Sequence, residues 1–322
     1  MMKDIRIVVK SPREGEHFSD FSVILPTVGG YSVEYRFSYV LTPSNESLSF
    51  GYDTAGTTNA DIYRINCAFV GRWEDGGFRR DFRVLQGGEI SFAIREVGAA
   101  DFVGGIHGDE RMETAFLLLD GCEIPLDRAG SYVAGTAELC QVSYINRCNT
   151  PSEKIILHRQ KYSFSGGELK LSQYVEWIGE PREIAYAFTP MLTVQRRYAE
   201  CPERVLTDTV ELYGYGKDEP LAVFDTTPYG TEPKPEHPTR LGVGSAATRA
   251  VVFGSSGLRA EAAMLSVGGA LEPSDVRAHI WLRYGNNLDS KVYFNINSDE
   301  KRVGVGTVWQ LNIKYKIEYE PK

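Results

Sequence analysis

The sequence lacks the features that would place it in several common classes of protein. No apolar run approaches the roughly 18 residues of a transmembrane helix, and the start MMKDIRIVVKSPREG has no long apolar core or small-residue cleavage site. We therefore expect no membrane span and no signal peptide, and a cytoplasmic or particle-associated location. Lysine and arginine form no cluster, and the formal net charge is −8, so nucleic acid is not an expected partner.

Cysteine patterns and nucleotide motifs are also missing. The five cysteines are scattered without a C-x-x-C pair, so neither a zinc ribbon nor a dense disulfide framework is expected, and we predict reduced, mostly buried thiols. No P-loop, dinucleotide fingerprint or G-x-S-x-G elbow stands in a supporting context. Long helical periodicity is nearly absent. The best amphipathic helix candidate is 189–201, which also fits a strand ending in a loop.

What the chain has in quantity is aromatic residues and glycine, with 18 Tyr, 15 Phe and 32 Gly. In YSVEYRFSYV at 31–40, alternate residues such as Val33, Tyr35 and Phe37 share one face, which predicts a strand. Similar patterns separated by Gly-Gly, Asp-Gly or Pro signals predict strands at 5–9, 61–69, 79–85, 90–97, 115–119, 137–146, 154–164, 168–178, 183–189, 209–213, 221–224, 248–253, 260–267, 277–283, 291–295 and 310–319. This spacing is typical of meanders and sandwiches. The predicted fold is all-β, an antiparallel β-sandwich or jelly-roll-like structure of one unit or two packed units.

A proline-rich segment suggests the internal division of the chain. TTPYGTEPKPEHPT at 226–239 holds four prolines and is predicted to be an extended loop or linker. It would separate a main β-sandwich domain at 1–225 from a β segment at 240–322. Whether that second segment belongs to the same domain is left open.

Titratable side chains and permissive backbone coincide most densely in FVGGIHGDE at 102–110. Its three glycines suit a tight turn that displays His107, Asp109 and Glu110. The structural alternative is a histidine bridging loop carbonyls, with the two carboxylates capping backbone amides.

The segment GIHGDE resembles the G-[IV]-H-G-x-E turn of zinc carboxypeptidases and related deacylases. That resemblance implies His107 and Glu110 as zinc ligands, with His237 or His279 supplying a third and a bound water completing a hydrolase site. The family is built on a mixed sheet packed by helices, and this chain lacks strand–helix alternation. Zinc is therefore an alternative, as is an irregular calcium site, and the main expectation is no cofactor.

A second, compositional resemblance is to β-sandwich polysaccharide lyases and related glycan-processing proteins, through tyrosine-rich alternating strands and a candidate His–Tyr pair. In one predicted strand, His158 and Tyr162 share a face, and Trp177 lies on a face of the hairpin partner. Sugars would stack on Tyr162 or Trp177, or on Tyr174 if the other face is open. The alternative is that these aromatic rings fill the core between two sheets.

These observations lead to one assignment of roles. His107 is the first candidate for general acid or base, because its usual pKa is close to physiological pH. Glu110 or Asp109 would orient it, and His158 and Tyr162 are secondary catalytic candidates. The predicted function is a glycan-directed protein, with a polysaccharide lyase or glycoside hydrolase slightly favoured.

Substrate contacts are assigned to Tyr174, Trp177 and Arg196, the last as a clamp for a sugar carboxylate. A glycoside hydrolase would need a second carboxylate remote from Glu110, for which the sequence offers Asp120, Glu176 or Glu183. The expected partner is a polysaccharide or oligosaccharide, and self-association is left open. The alternative from another class is a non-catalytic carbohydrate-binding or structural appendage protein.

Overall fold

The protein is an all-β structure, which confirms the predicted fold class. The computed structural model describes residues 4–41, 60–85, 90–227, 239–282, 289–297 and 301–322. Within these ranges the helical elements are short 3-10 turns at Val28–Gly30, Gly105–His107 and Pro273–Asp275. The candidate helix at 189–201 is strand as far as Gln195.

The described residues form 24 strands. In chain order these are β1 (Ile5–Val9), β2 (Phe21–Pro26), β3 (Ser32–Leu41), β4 (Ala60–Glu74), β5 (Gly77–Leu85), β6 (Ala93–Glu96), β7 (Glu110–Leu119), β8 (Cys122–Ile124), β9 (Gly130–Ala134), β10 (Ala137–Arg147), β11 (Thr150–Ser165), β12 (Glu168–Trp177), β13 (Arg182–Gln195), β14 (Arg197–Tyr198), β15 (Cys201–Val205), β16 (Thr209–Tyr213), β17 (Pro220–Asp225), β18 (Thr239–Ala246), β19 (Arg249–Phe253), β20 (Leu258–Gly269), β21 (Arg277–Leu282), β22 (Asp289–Asn295), β23 (Arg302–Val303) and β24 (Val308–Tyr319).

Two long runs of antiparallel pairing organise these strands. One follows the order β8-β7-β10-β11-β12-β24-β20-β19-β16-β17. The other follows β9-β1-β2-β3-β4-β5 and continues through a bridge between Leu85 and Val194 into β13-β22-β21-β18. Strand β6 pairs with the first half of β13. A short parallel contact at Ala60 and Glu110 joins the two runs.

The inner faces of the two runs pack together and form the main core. Phe37 of β3 lies with its ring centroid 5.3 Å from that of Tyr162 and 5.9 Å from that of Phe164, both on β11. The hydroxyl of Tyr315 on β24 donates to the carbonyl oxygen of Met191 on β13 at 3.5 Å. Aromatic rings supply much of this core because each buries a large apolar area.

Strands from both sides of the proline-rich segment share the same sheets. Strand β12 pairs with β24, and β13 pairs with β22. Residues 228–238 of the predicted loop, including His237, lie outside the described residues.

The remaining sequence expectations concern thiols and membranes. All five cysteines are free, and of these only Cys67 is buried, so the prediction of mostly buried thiols is wrong. In the part of the chain that is described, no helix has the length and apolar character of a membrane span.

Candidate functional site

The glycine-rich turn at 102–110 has the tight geometry expected of it. Gly104, Gly105 and Gly108 have φ angles of +90°, +55° and +76°, a region that side chains with a Cβ rarely adopt. A Cβ on Gly105 would also lie 2.2 Å from Oγ of Ser91. The backbone therefore requires glycine here both for its angles and for the close approach of Ser91, which precedes β6.

The carboxylate of Glu110 points into the protein and is held by three donors. The N–H of Gly105 donates to Oε2 at 2.7 Å, and the hydroxyl of Ser143 donates to Oε1 at 2.5 Å. Nδ1 of His158 lies 2.9 Å from Oε1 and carries the proton of that bond, because a carboxylate only accepts. Burial favours the neutral acid, but His158 and the two hydrogen bonds outweigh it, so the pKa of Glu110 is lowered. Glu110 is thus a buried carboxylate that ties the turn to β10 and β11.

Asp109 has a similar structural role on the other side of the turn. Its side chain is 1% exposed, and its Oδ2 accepts the backbone N–H of Asn149 at 2.9 Å. Its carbonyl oxygen accepts the N–H of Asn146 at 2.7 Å. The structural alternative is therefore confirmed for both carboxylates, which cap backbone amides.

His107 differs from its acidic neighbours because its side chain is 33% exposed. Its ring centroid lies 5.2 Å from that of Phe102, and its Nδ1 lies 3.9 Å from a carboxylate oxygen of Asp101. The pKa of His107 is lowered to about 4, chiefly by burial, with Asp101 opposing the change and Lys291 and Arg64 adding to it. The imidazole is therefore neutral at pH 7 and can accept a proton.

Next to His107, side chains from the paired strands β13, β22 and β21, together with Phe102 of the turn, form a surface that we call the aromatic face. Its members are Phe102, Tyr186, Phe188, His279, Trp281 and Tyr293. Phe188 is the centre, with ring centroids at 5.5 Å from Phe102, 5.7 Å from Trp281 and 5.5 Å from Tyr293. Except for Phe188, which is 6% exposed, these side chains are half-buried.

Buried polar side chains lie beside the aromatic face on the same strands. In the register of β13, β22 and β21, Lys291 is opposite both Thr193 and Trp281, and Gln195 is opposite Asp289. The Nζ of Lys291 donates to the hydroxyl of Tyr293 at 3.1 Å.

The residues between them point the other way. Val194, Val292 and Phe294 belong to the main core, as the alternation of a strand requires. The aromatic face is therefore one side of a sheet whose other side is packed core.

Three of the predicted site residues lie inside the protein. His158, Tyr162 and Trp177 are all 0% exposed, and burial raises the pKa of Tyr162. They share the inward faces predicted for them, since His158 pairs with Val175 across β11 and β12. The core-packing alternative is confirmed for the two aromatic rings, and the predicted stacking of sugars on Tyr162 or Trp177 is not supported.

Tyr174 and Arg196 are placed apart from the turn. Tyr174 is on the outer face of β12, where the guanidinium of Arg159 lies 5.1 Å from its ring centroid. It borders a groove of about 380 Å³ whose lining includes Gln310 and Asn312. Arg196 is 4% exposed and donates from Nη1 to the carbonyl oxygen of Thr226 at 3.3 Å.

The side chains of the HxxE segment do not suit a zinc ion. Both oxygens of Glu110 accept donors in the protein interior, whereas the imidazole of His107 lies against Phe102 and near Asp101. His279 belongs to the aromatic face, and His237 is outside the described residues. No group of three His, Cys, Asp or Glu suited to a metal occurs in the described ranges.

Sequence reasoning missed most of the aromatic face, although it predicted the strands that carry it. In β21, RAHIWL, His279 and Trp281 alternate with Ala278 and Ile280. In β22, Lys291 alternates with core residues in the same way. The signal for this face was present in two neighbouring strands. Each alternates polar or aromatic residues on one face with core residues on the other.

Comparisons with known proteins give distant structural similarities only. No protein-family model matches the chain, and no curated sequence matches it. The galactosidase domain of an α-galactosidase–sucrose kinase aligns at a TM-score of 0.46 and 10% identity, over 98% of this chain and 41% of that one.

Two further structures align over nearly the full length of both chains. A galactose mutarotase-like protein from Clostridium acetobutylicum has a TM-score of 0.44 and 10% identity, over 98% of each chain. A galactose 1-epimerase from Lactobacillus acidophilus has a TM-score of 0.37 and 8% identity, also over 98% of each chain. With TM-scores below 0.5, these similarities assign no activity to this chain.

Proposed function

We propose that this protein binds a saccharide on the aromatic face and that His107 exchanges a proton with the bound sugar. The observation that carries the proposal is the composition of that face, where aromatic rings stand next to hydrogen-bonding side chains. Sugar rings present apolar C–H faces that pack on aromatic rings, and their hydroxyl groups need polar partners. Trp281 and Tyr293 supply the first kind of contact, and His107, whose side chain is 33% exposed, supplies the second.

The state of the acidic residues favours proton abstraction, as in a lyase, over glycoside hydrolysis. Hydrolysis needs two available carboxylates flanking the bond, whereas Asp109 and Glu110 are both held by backbone N–H donors. A neutral His107 is in the correct protonation state to act as a base. The second candidate is binding without catalysis, which the structural use of both carboxylates also favours.

Tryptophan fluorescence tests the binding site directly. Trp177 and Trp309 are in the core. Trp73 is not part of the aromatic face, and the guanidinium carbon of Arg6 lies 4.4 Å from its ring centroid. We expect a bound oligosaccharide to change the emission of the wild-type protein and of Trp73→Phe, but not that of Trp281→Phe.

Calorimetry on alanine variants then measures the contribution of the ring. Trp281→Ala should weaken binding about tenfold or more, since about 1.4 kcal/mol corresponds to a factor of ten, while Trp73→Ala should bind as the wild type does. Equal affinities for wild type and Trp281→Ala would overturn the proposed site.

Catalysis is tested on whichever polysaccharide binds. A lyase generates an unsaturated product that absorbs in the ultraviolet, and a hydrolase generates reducing ends without it. We expect the unsaturated product from the wild type, and we expect His107→Asn to lose turnover while keeping affinity. Binding with no product of either kind would establish the second candidate.

A further inference from the structure

Arg95 is a cation at the border of the aromatic face. It lies on β6 opposite Tyr186 of β13. Its guanidinium carbon is 5.0 Å from the ring centroid of Tyr186 and 5.2 Å from that of Phe102. Two rings of the aromatic face therefore hold this cation in place through cation–π contacts.

What distinguishes Arg95 from neighbouring arginines is the absence of an anionic partner. The adjacent Glu96 lies within 3.9 Å of Arg147 and 3.6 Å of Arg182. No carboxylate of the described chain lies within 4.0 Å of Arg95, and its recorded contacts are the two rings. The side chain is half-buried against these two rings.

Other cations lie in the same region of an otherwise acidic protein. Lys291 and Arg64 are close enough to His107 to lower its pKa, and they are 6% and 2% exposed. A guanidinium held against two rings, with no carboxylate of the described chain beside it, favours an anionic ligand.

We propose that the saccharide bound on the aromatic face carries an acidic group, and that Arg95 binds this group. The inference rests on the proposed function and adds the substrate class to it. A carboxylate, sulfate or phosphate can accept two parallel N–H bonds from a guanidinium whose orientation is already fixed. Arg95 thereby takes the role of acid-group clamp that the sequence suggested for Arg196, whose Nη1 is bonded to Thr226.

The test compares ligands that differ only in the acidic group. Uronate oligosaccharides, their carboxyl-reduced neutral forms and sulfated neutral oligosaccharides of equal length are titrated into the full chain. We expect the wild type to bind an acidic form about tenfold or more tightly than the reduced form, as for a charge-assisted bidentate contact. Whichever of the uronate and sulfated oligosaccharides binds more tightly, relative to the reduced form, identifies the acidic group as carboxylate or sulfate.

Variants of two cation–π arginines separate a specific role from a general one. Arg95→Gln should remove the preference for the acidic ligand and leave affinity for the reduced form unchanged. Arg95→Lys should keep only part of the preference, because lysine keeps the charge without the planar fork. Arg83→Gln is the matched control, since Arg83 also lies over a ring, that of Phe69 at 5.5 Å, but is exposed and outside the site.

The outcomes distinguish the two proposals. Trp281-dependent binding with equal affinity for acidic and reduced ligands would overturn the role of Arg95 and leave the proposed function intact. Unchanged preference in a folded Arg95→Gln protein, with thermal unfolding like the wild type, would do the same. Failure of every oligosaccharide to change Trp281 emission would overturn the proposed function itself.

Discussion

Replacement of Glu110 by alanine tests whether this carboxylate is structural. The substitution removes the acceptor for the Gly105 N–H, the Ser143 hydroxyl and Nδ1 of His158. These donors are in the protein interior, where Glu110 is 1% exposed and His158 is 0% exposed. The variant therefore leaves buried donors unpaired.

The expected loss follows from these contacts. A buried donor left without a partner costs about 1–3 kcal/mol, and three donors lose their acceptor in this variant. The donors are clustered around one carboxylate and share the space that alanine opens, so their costs overlap. We expect the free energy of unfolding to fall by about 3–5 kcal/mol, a large fraction of the roughly 5–15 kcal/mol typical of a folded protein.

Urea denaturation measures this loss, and the same strand offers a control. Glu113 on β7 pairs with Lys154 at 3.1 Å, but the two side chains are 56% and 50% exposed. Surface pairs of this kind contribute about 0–1 kcal/mol, so Glu113→Ala should unfold almost as the wild type does. A loss below about 1 kcal/mol for Glu110→Ala, equal to that of the control, would refute the structural assignment.

The pH dependence of the same difference gives a second check. The pKa of Glu110 is lower in the folded protein than in the unfolded chain, so the unfolded chain takes up the proton first as pH falls. The stabilisation by the ionised carboxylate is complete above the unfolded pKa of about 4.3. It is lost as pH falls through the folded pKa. The difference between wild type and Glu110→Ala should therefore shrink in acid, and a difference that grows would contradict the linkage.

Two further predictions concern the turn itself. Gly105→Ala introduces a Cβ 2.2 Å from Oγ of Ser91 at a φ of +55°, and urea denaturation should show an unfolding free energy lower by about 1–3 kcal/mol. The control is Gly121→Ala, where φ is +82° and nothing lies within 4 Å of the added Cβ, so its unfolding free energy should fall less. Equal losses in the two variants would exclude the steric clash. His107 has a folded pKa of about 4, below its usual value of 6.5, so the unfolded chain binds more protons between these values. Stability should therefore decrease as pH falls from 6.5 to 4. His107→Asn should flatten that slope, and a proton resonance of His107 that titrates near 6.5 would contradict the shifted pKa.

The strands that sequence predicted well are those with one apolar face. The alternation of apolar and polar residues predicted β16 with the bounds that the structure shows, Thr209–Tyr213. Strand β2, FSVILP, went unpredicted because five of its six residues are buried, and a strand covered on both faces shows no alternation. Strand β7 begins at Glu110, not at 115, because pairing with β10 extends it through a polar segment.

The site could be predicted only in part for a related reason. The sequence identified the turn through its glycines and titratable residues, but the direction of each side chain depends on pairing across several strands. Glu110 reaches His158 because Glu110 is opposite Ile145 on β10, and Ser143 of β10 is opposite His158 on β11. That register is set by the pairing of β7, β10 and β11, so the sequence of the turn alone does not give it.

The opposite directions of His107 and Glu110 affect how variants of the turn must be interpreted. Glu110 holds the N–H of Gly105 at the start of the short 3-10 turn that carries His107, so it is a positioning residue for the imidazole. A loss of turnover in Glu110→Ala would therefore arise without any proton passing through Glu110. The distinction lies in the pattern of effects: Glu110→Ala should lose stability together with activity, whereas His107→Asn should lose activity alone. If Glu110→Ala keeps its stability and loses only kcat, the carboxylate takes part in the chemistry and the structural assignment is wrong.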